Sequence, residues 1–270
     1  MLIGIFFIVG LAVGSFLNVV IHRLPLMMAV DDEPGLDDKA LNLAMPRSHC
    51  PHCGHPLRWF ENLPVVSYLA LRGRCSACKA SISPRYPLVE ITTALMFAFC
   101  AWRFGLQGPP HQGLAAVFFW CFYCAMLLAL ACIDFDHSLL PDSLTQPLLW
   151  AGLIAAALHL TSTTLSDSLW GAVAGYMSLW LIFWAFKLAT GKEGMGFGDF
   201  KLYAALGAWL GWQALIPLML LASILGIVMA LVQRKRQIPF GPFVAFAGFA
   251  FMAFMPWLSN QGLVAWLMLK

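Results

Sequence analysis

Apolar and polar residues alternate along this chain in blocks rather than singly. Eight long apolar runs, at about 2–21, 88–102, 114–133, 144–160, 169–188, 200–212, 215–232 and 243–258, are separated by short polar connections and by one long polar stretch. Roughly 20 apolar residues in a helix cross about 30 Å of hydrocarbon, so the pattern predicts an all-α polytopic membrane protein with about eight transmembrane helices. The second and sixth runs are short for a perpendicular span, and Pro217 lies near the boundary between two runs. A tilted, broken or partly re-entrant segment is open there. No basic segment precedes the first run and no small-residue cleavage pattern follows it, so it reads as an uncleaved anchor. The blocks divide the chain into a first helix (1–22), a polar insertion (23–86), a membrane-embedded core (87–260) and a tail (261–270), with no internal repeat.

Composition supports this reading: 61% of residues are hydrophobic and 11% charged, against about a quarter charged in soluble domains. The net charge of +3 is too small to argue for a nucleic-acid partner; the expected surroundings are a lipid bilayer. The placement of charge is more telling. Arg23, Lys39, Arg47, Arg58, Arg72, Arg74, Lys79 and Arg85 all fall between the first two runs, which places the insertion in the cytoplasm. Alternate crossings then put Lys187, Lys192, Lys201 and Arg234-Lys235-Arg236 on the same side, leaving Arg103 and Lys270 opposite. Gly10-x-x-x-Gly14, Gly171-x-x-x-Gly175 and Gly207-x-x-x-Gly211 are expected to let helices approach closely, a packing role only.

The insertion opens with a solvated acidic linker, Asp31-Asp32-Glu33-Pro34-Gly35-Leu36-Asp37-Asp38, and continues with Cys50-Pro51-His52-Cys53 and Cys75-Ser76-Ala77-Cys78. Two Cys-x-x-Cys knuckles at this separation match a four-cysteine zinc ribbon. Four thiolates around Zn²⁺ leave no open position, so the site is structural, and the metal supplies folding energy that so small a domain lacks. Disulfides or redox pairs are the rival reading, but disulfides need an oxidising compartment. His49, His52 and His55 flank the first knuckle as substitute ligands or surface residues. Cys100, Cys121, Cys124 and Cys132 read as small buried residues of apolar helices.

Carboxylates in or beside spans are functional candidates by default; here they are Glu90, Asp134, Asp136, Asp142 and Asp199. Asp142 follows Pro141 and reads as an N-cap, and Asp136, beside His137, as a solvent-facing residue or ion partner. Asp134 is the most deeply placed of the three in its segment. Asp199 ends Gly194-Met195-Gly196-Phe197-Gly198-Asp199, where glycines allow close backbone approach. No strand precedes that segment and no Gly-Lys-Ser/Thr follows, so it is not a phosphate loop. Topology brings Asp134 and Asp199 to one membrane face. Two neighbouring carboxylates share a proton and can activate water, one as base and one as acid, with neither role assignable to one residue. A proton-coupled transporter uses the same features, and a membrane adaptor with a structural zinc knuckle uses none of the acids catalytically. Both remain open on the residues alone.

Taken in order, the motifs are more specific. Gly14-Ser15-Phe16-Leu17-Asn18-Val19-Val20-Ile21-His22-Arg23-Leu24-Pro25, the two cysteine pairs, Glu61-Asn62-Leu63-Pro64-Val65-Val66-Ser67-Tyr68, Leu71-Arg72-Gly73-Arg74-Cys75, Arg85-Tyr86-Pro87-Leu88-Val89-Glu90, Ile133-Asp134, Leu140-Pro141-Asp142, the Gly-x-Gly-Asp segment through Asp199-Phe200-Lys201-Leu202, and Pro239-Phe240-Gly241-Pro242 together resemble the type IV prepilin peptidases. The resemblance implies leader cleavage of type IV prepilins or type II secretion pseudopilins at the cytoplasmic face of a bacterial inner membrane. N-methylation of the new N-terminus from S-adenosylmethionine would follow. It implies Asp134 and Asp199 as catalytic residues and Cys50, Cys53, Cys75 and Cys78 as zinc ligands. Phe197 lines the approach to the scissile bond or packs locally. No familiar adenosylmethionine fold is visible, so methyl transfer rests on the resemblance alone.

Overall fold

In the computed structural model, which describes residues 1–32, 42–105, 110–192, 195–233 and 239–260, every one of the apolar runs is helical. The helices are α1 (Leu2–Asp32), α2 (Val66–Ala70), α3 (Arg85–Phe104), α4 (Pro110–His137), α5 (Asp142–Ala157), α6 (Leu165–Thr190), α7 (Phe197–Leu210), α8 (Leu215–Gln233) and α9 (Gly241–Asn260). Most of the acidic linker, Lys39, Gly194, the basic triplet 234–236 and the tail 261–270 lie outside the described residues. Among the described residues five helical segments are long and apolar enough to cross a membrane: Leu2–Ala29, Arg85–Phe104, Gly113–His137, Leu165–Thr190 and Trp212–Gln233. With 16 and 14 residues, α5 and α7 reach only about 24 and 21 Å at 1.5 Å per residue.

The chain forms two compact units, Met1–Ala125 and Met126–Lys270, with the boundary inside α4. In the first, α1 lies against α3 on its glycines. A Cβ on Gly10 would come 2.6 Å from Ala94 Cα and one on Gly14 2.7 Å from Glu90 Cα, closer than any side chain tolerates. α1 does not stop where its apolar run ends at Ile21 but continues through Pro25 to Asp32. Arg23 is therefore a helical residue and not a loop cation. It is buried, and its guanidinium donates to the carbonyls of Asn42 (3.0 Å) and Pro46 (2.6 Å). These main-chain acceptors take up part of its donor capacity and fix the chain as it enters the cysteine segment. A second tether is Glu90, buried on α3, which accepts the Val65 N–H at 2.8 Å. Val65 has φ +59°, a region that β-branched residues seldom enter, and the bond holds that turn on α3.

The cysteine segment contains a repeat that the sequence conceals. Cys50 N–H donates to His55 O and Cys75 N–H to Ala80 O, at 2.9 and 2.8 Å. Leu57 N–H donates to Ser48 O and Ile82 N–H to Gly73 O, both at 2.8 Å. Isolated bridges join His49 to Pro56 and Arg74 to Ser81, and the tight turns place Gly54 at φ +69° and Lys79 at φ +61°. Each pair is 25 positions apart, as are Cys50 and Cys75. The expectation of no internal repeat is corrected at this level: two knuckles share one backbone design although little beyond the cysteines recurs, because main-chain hydrogen bonds make few demands on side-chain identity.

The second unit is organised around α7, which is buried from Leu202 through Leu210 and packs against α5, α6, α8 and α9. A helix apolar on every side belongs inside protein, and an enclosed helix need not match the bilayer thickness. Gly171 and Gly207 bring α6 and α7 into backbone contact; a Cβ on either would overlap the other's carbonyl. The last carbonyls of α7, which have no partner within the helix, are met by side chains. Ser168 Oγ donates to Ala208 O at 2.5 Å and Thr163 Oγ1 to Trp209 O at 3.2 Å, while Trp209 Nε1 donates to Leu148 O at 2.8 Å. Gly207→Val is expected to destabilise this unit by about 1–3 kcal/mol or more through overpacking. Gly226→Ala, where the nearest heavy atom to a new Cβ is 3.6 Å away, should be tolerated. Thermal unfolding in detergent compares the two, and equal melting temperatures would disprove the α6–α7 contact.

Candidate functional site

Asp134 lies in the last turn of α4, three residues before His137, and is 6% exposed. The helix closes directly after it, with Ser138 N–H donating to Asp134 O at 2.8 Å and Ser138 at φ +53°. Asp199 lies in the first turn of α7, half-buried, its N–H donating to Gly196 O at 3.3 Å. The two carboxylates are close enough for the charge of Asp134 to act on Asp199. A third element reaches the same place. Gly241, the first residue of α9, donates its N–H to Asp134 Oδ2 at 2.9 Å. The sequence offered no reason to expect it: Pro239-Phe240-Gly241-Pro242 carries no side chain with evident chemistry, and the contact spans 107 positions.

The connection from α4 to α5 is fastened to the start of α7 at two points. A Cβ on Gly198 would meet Leu140 Cβ at 2.7 Å, so the glycine next to Asp199 is what lets Leu140 pack there. Lys201 Nζ pairs with both Asp142 oxygens at 2.6 and 2.7 Å. Asp142 thus differs from its expected role. It is the first residue of α5, Pro141 occupies the N-cap without a side-chain bond, and the carboxylate holds Lys201 across the site. Asp136 is exposed, as expected. Phe197 packs against Phe183 at a tilt and against Phe200 edge-on, with ring centroids 5.2 and 5.4 Å away, yet remains half exposed. Packing and exposure at the mouth of the site therefore coexist. Chemically the arrangement offers two carboxylates of unlike surroundings, one bonded to a backbone amide and one at a helix N-terminus. That is what activation of a water between them requires.

In the first unit the ligand atoms of Cys50, Cys53, Cys75 and Cys78 all lie within 4.8 Å of one another, with Cys50 and Cys78 sulfurs 3.8 Å apart. Four sulfurs about 2.3 Å from a tetrahedral metal are separated by about 3.8 Å, the separation of the Cys50 and Cys78 sulfurs, so the cluster could bind a metal ion. Backbone N–H groups of Cys78 and Ala77 point at the Cys75 sulfur and lower its thiol to about 6. Each knuckle contributes one buried and one exposed sulfur. Among the described residues no histidine joins the cluster: His49 and His52 are exposed, and His55 Nε2 faces Glu61 Oε2 at 3.5 Å. Glu61 spans the knuckles, bonded to Ser76 of the second and to the Arg58 N–H at 2.8 Å, and facing His55 of the first at 3.5 Å. These contacts hold its carboxyl below the ordinary carboxylate range. The motif beginning at Glu61 thereby acquires a role that its sequence did not disclose. Cys100, Cys121 and Cys124 are buried as expected, with Cys100 and Cys124 sulfurs 3.7 Å apart; Cys132 is half-buried.

Comparison with known proteins agrees with this division. Residues 8–104 match the bacterial peptidase A24 N-terminal domain, and residues 121–231 match the type IV leader peptidase family. A prepilin leader peptidase/N-methyltransferase of Stutzerimonas stutzeri is 51% identical over 254 residues, covering 88% of this chain and 85% of that protein. The protein of the same name from Pseudomonas aeruginosa is 50% identical over 254 residues with the same coverage. That from Aeromonas hydrophila is 49% identical over 257 residues, covering 88% and 86%. No solved structure matches the chain. With both of its segments matched and relatives about half identical over most of their length, the chain belongs to the type IV leader peptidase family.

Proposed function

We propose that this protein is a prepilin leader peptidase and N-methyltransferase. It cleaves the leader of type IV prepilins or type II secretion pseudopilins with Asp134 and Asp199, then methylates the new N-terminus. The observation that carries the peptidase is the placement of Asp134 at the end of α4 and Asp199 at the start of α7, near enough for one charge to act on the other, with the start of α9 bonded to Asp134. One carboxylate takes a proton from a water molecule as it attacks the scissile carbonyl. The other, protonated, donates to the developing oxyanion and then to the leaving amine. Neither a covalent intermediate nor a metal is required in that sequence.

The site works at the cytoplasmic face of a bacterial inner membrane in this reading, supported by the clustering of Lys and Arg in the polar connections. Zn²⁺ is the metal proposed for Cys50, Cys53, Cys75 and Cys78, on sulfur number and spacing. Its contribution is to hold the two knuckles together, outside the cleavage chemistry. S-adenosylmethionine is the proposed methyl donor, on the likeness to the named methyltransferases. Mass spectrometry of a candidate prepilin after incubation with the purified protein tests the whole reading. The leader should be lost, and a 14 Da increment at the new N-terminus should appear only when S-adenosylmethionine is added. An intact prepilin under conditions where the protein is folded and loaded with metal would overturn it.

A further inference from the structure

The Gly241 amide reaches Asp134 from outside both aspartate segments, and it comes from a motif with no chemistry of its own. As the first residue of α9, Gly241 has an N–H with no acceptor inside its helix; here that donor is used on Asp134 Oδ2 at 2.9 Å. The bond is protected from water, since both residues are buried. It is also possible only for glycine. A Cβ at position 241 would come 2.6 Å from Asp134 Oδ2, 3.0 Å from its Cγ and 3.2 Å from its Cβ, so any other residue displaces either the carboxylate or the start of α9. Among the described residues no hydrogen bond is donated to Asp134 Oδ1. The helix itself is well begun, with Phe243 and Val244 N–H both donating to Phe240 O, at 3.1 and 3.2 Å. The amide is thus delivered by a formed turn.

We propose that Gly241 is a positioning residue of the peptidase: its amide holds Asp134 Oδ2 so that Oδ1 is the oxygen presented to water and to Asp199. The proposal rests on the aspartate reading given above. A carboxylate held through one oxygen loses its freedom of rotation, and a displacement near 1 Å in such a group costs about 10²-fold in rate.

The test is Gly241→Ala in the full-length protein, reconstituted in liposomes and assayed separately for prepilin cleavage and for methylation of an already cleaved pilin. The expected result is a fall in kcat for cleavage of about 100-fold, with KM within a few fold of wild type and methylation unchanged. Wild-type kcat in folded Gly241→Ala protein overturns the proposal, as does a loss confined to KM. If the variant does not fold, the wild-type protein decides. Labelled with [15N]glycine and [13C]aspartate at the side-chain carboxyl, it should show a nitrogen–carbon dipolar coupling that disappears in Asp134→Asn, and no such coupling overturns the proposal. An active Asp134→Ala protein would instead refute the aspartate reading itself. Inactive Asp134→Ala beside fully active Gly241→Ala refutes only the role of the amide.

Discussion

Alanine at position 134 or at position 199 should abolish prepilin cleavage. General acid and general base each contribute about 10² to 10⁴-fold, and a dyad that has lost either member has no second group to complete the proton transfers. The loss should appear in kcat, because neither carboxylate is needed to hold the apolar helix of a pilin. Both variants should keep their helical content; Asp199 is only half-buried, whereas Asp134→Ala, which leaves the buried Gly241 N–H without its acceptor, should lose about 1–3 kcal/mol of stability. Methylation of a pilin supplied already cleaved should survive. Cleavage by purified protein, followed as loss of the leader on gels, measures the effect. Wild-type turnover in either variant would remove the dyad from consideration and return the membrane-edge acids to a transport or capping role.

The second large effect concerns the cysteine segment. Cys50→Ser combined with Cys53→Ser removes half of the sulfur set, including one of its two buried members. Structural zinc contributes about 10–16 kcal/mol to folding in isolated zinc-finger peptides, far more than residues 42–84 can recover from their own contacts. The double variant should therefore contain no bound metal where wild type holds one equivalent, and this segment should become sensitive to proteases. The membrane helices should remain folded, since α1 and α3 pack through Gly10 and Gly14 independently of the knuckles. Elemental analysis and limited proteolysis read the two outcomes. A full equivalent of metal retained by the variant would count against four-sulfur coordination.

Helices were legible in the sequence because burial and lipid both demand long apolar runs, and each run marks its own helix. Which runs are long enough to cross a membrane was less legible. α7 reads like its neighbours in composition, and only its burial from Leu202 through Leu210 distinguishes it from the longer helices that could cross a membrane. Cysteine spacing disclosed the cluster because metal geometry restricts ligand positions, whereas Glu61, which bridges the knuckles, looked like any exposed glutamate. Asp134 and Asp199 stood out because charge is rare among apolar residues. Asp142 was misjudged as a cap because its partner, Lys201, is 59 positions away. Gly241 and Arg23 were the least visible. One acts through a main-chain amide and the other through main-chain carbonyls, groups that every sequence contains and that acquire meaning only from where the fold puts them.

The fastening of α7 at both ends also bears on how a peptide enters. Leu140 and Asp142 grip it beside Asp199, and Ser168 and Thr163 close its far end. Sliding or unwinding this rod would break several of those bonds at once. A peptide that reaches the site therefore meets an Asp199 held at constant depth by a rod that is tied to α5 beside the aspartate and to α6 at its far end.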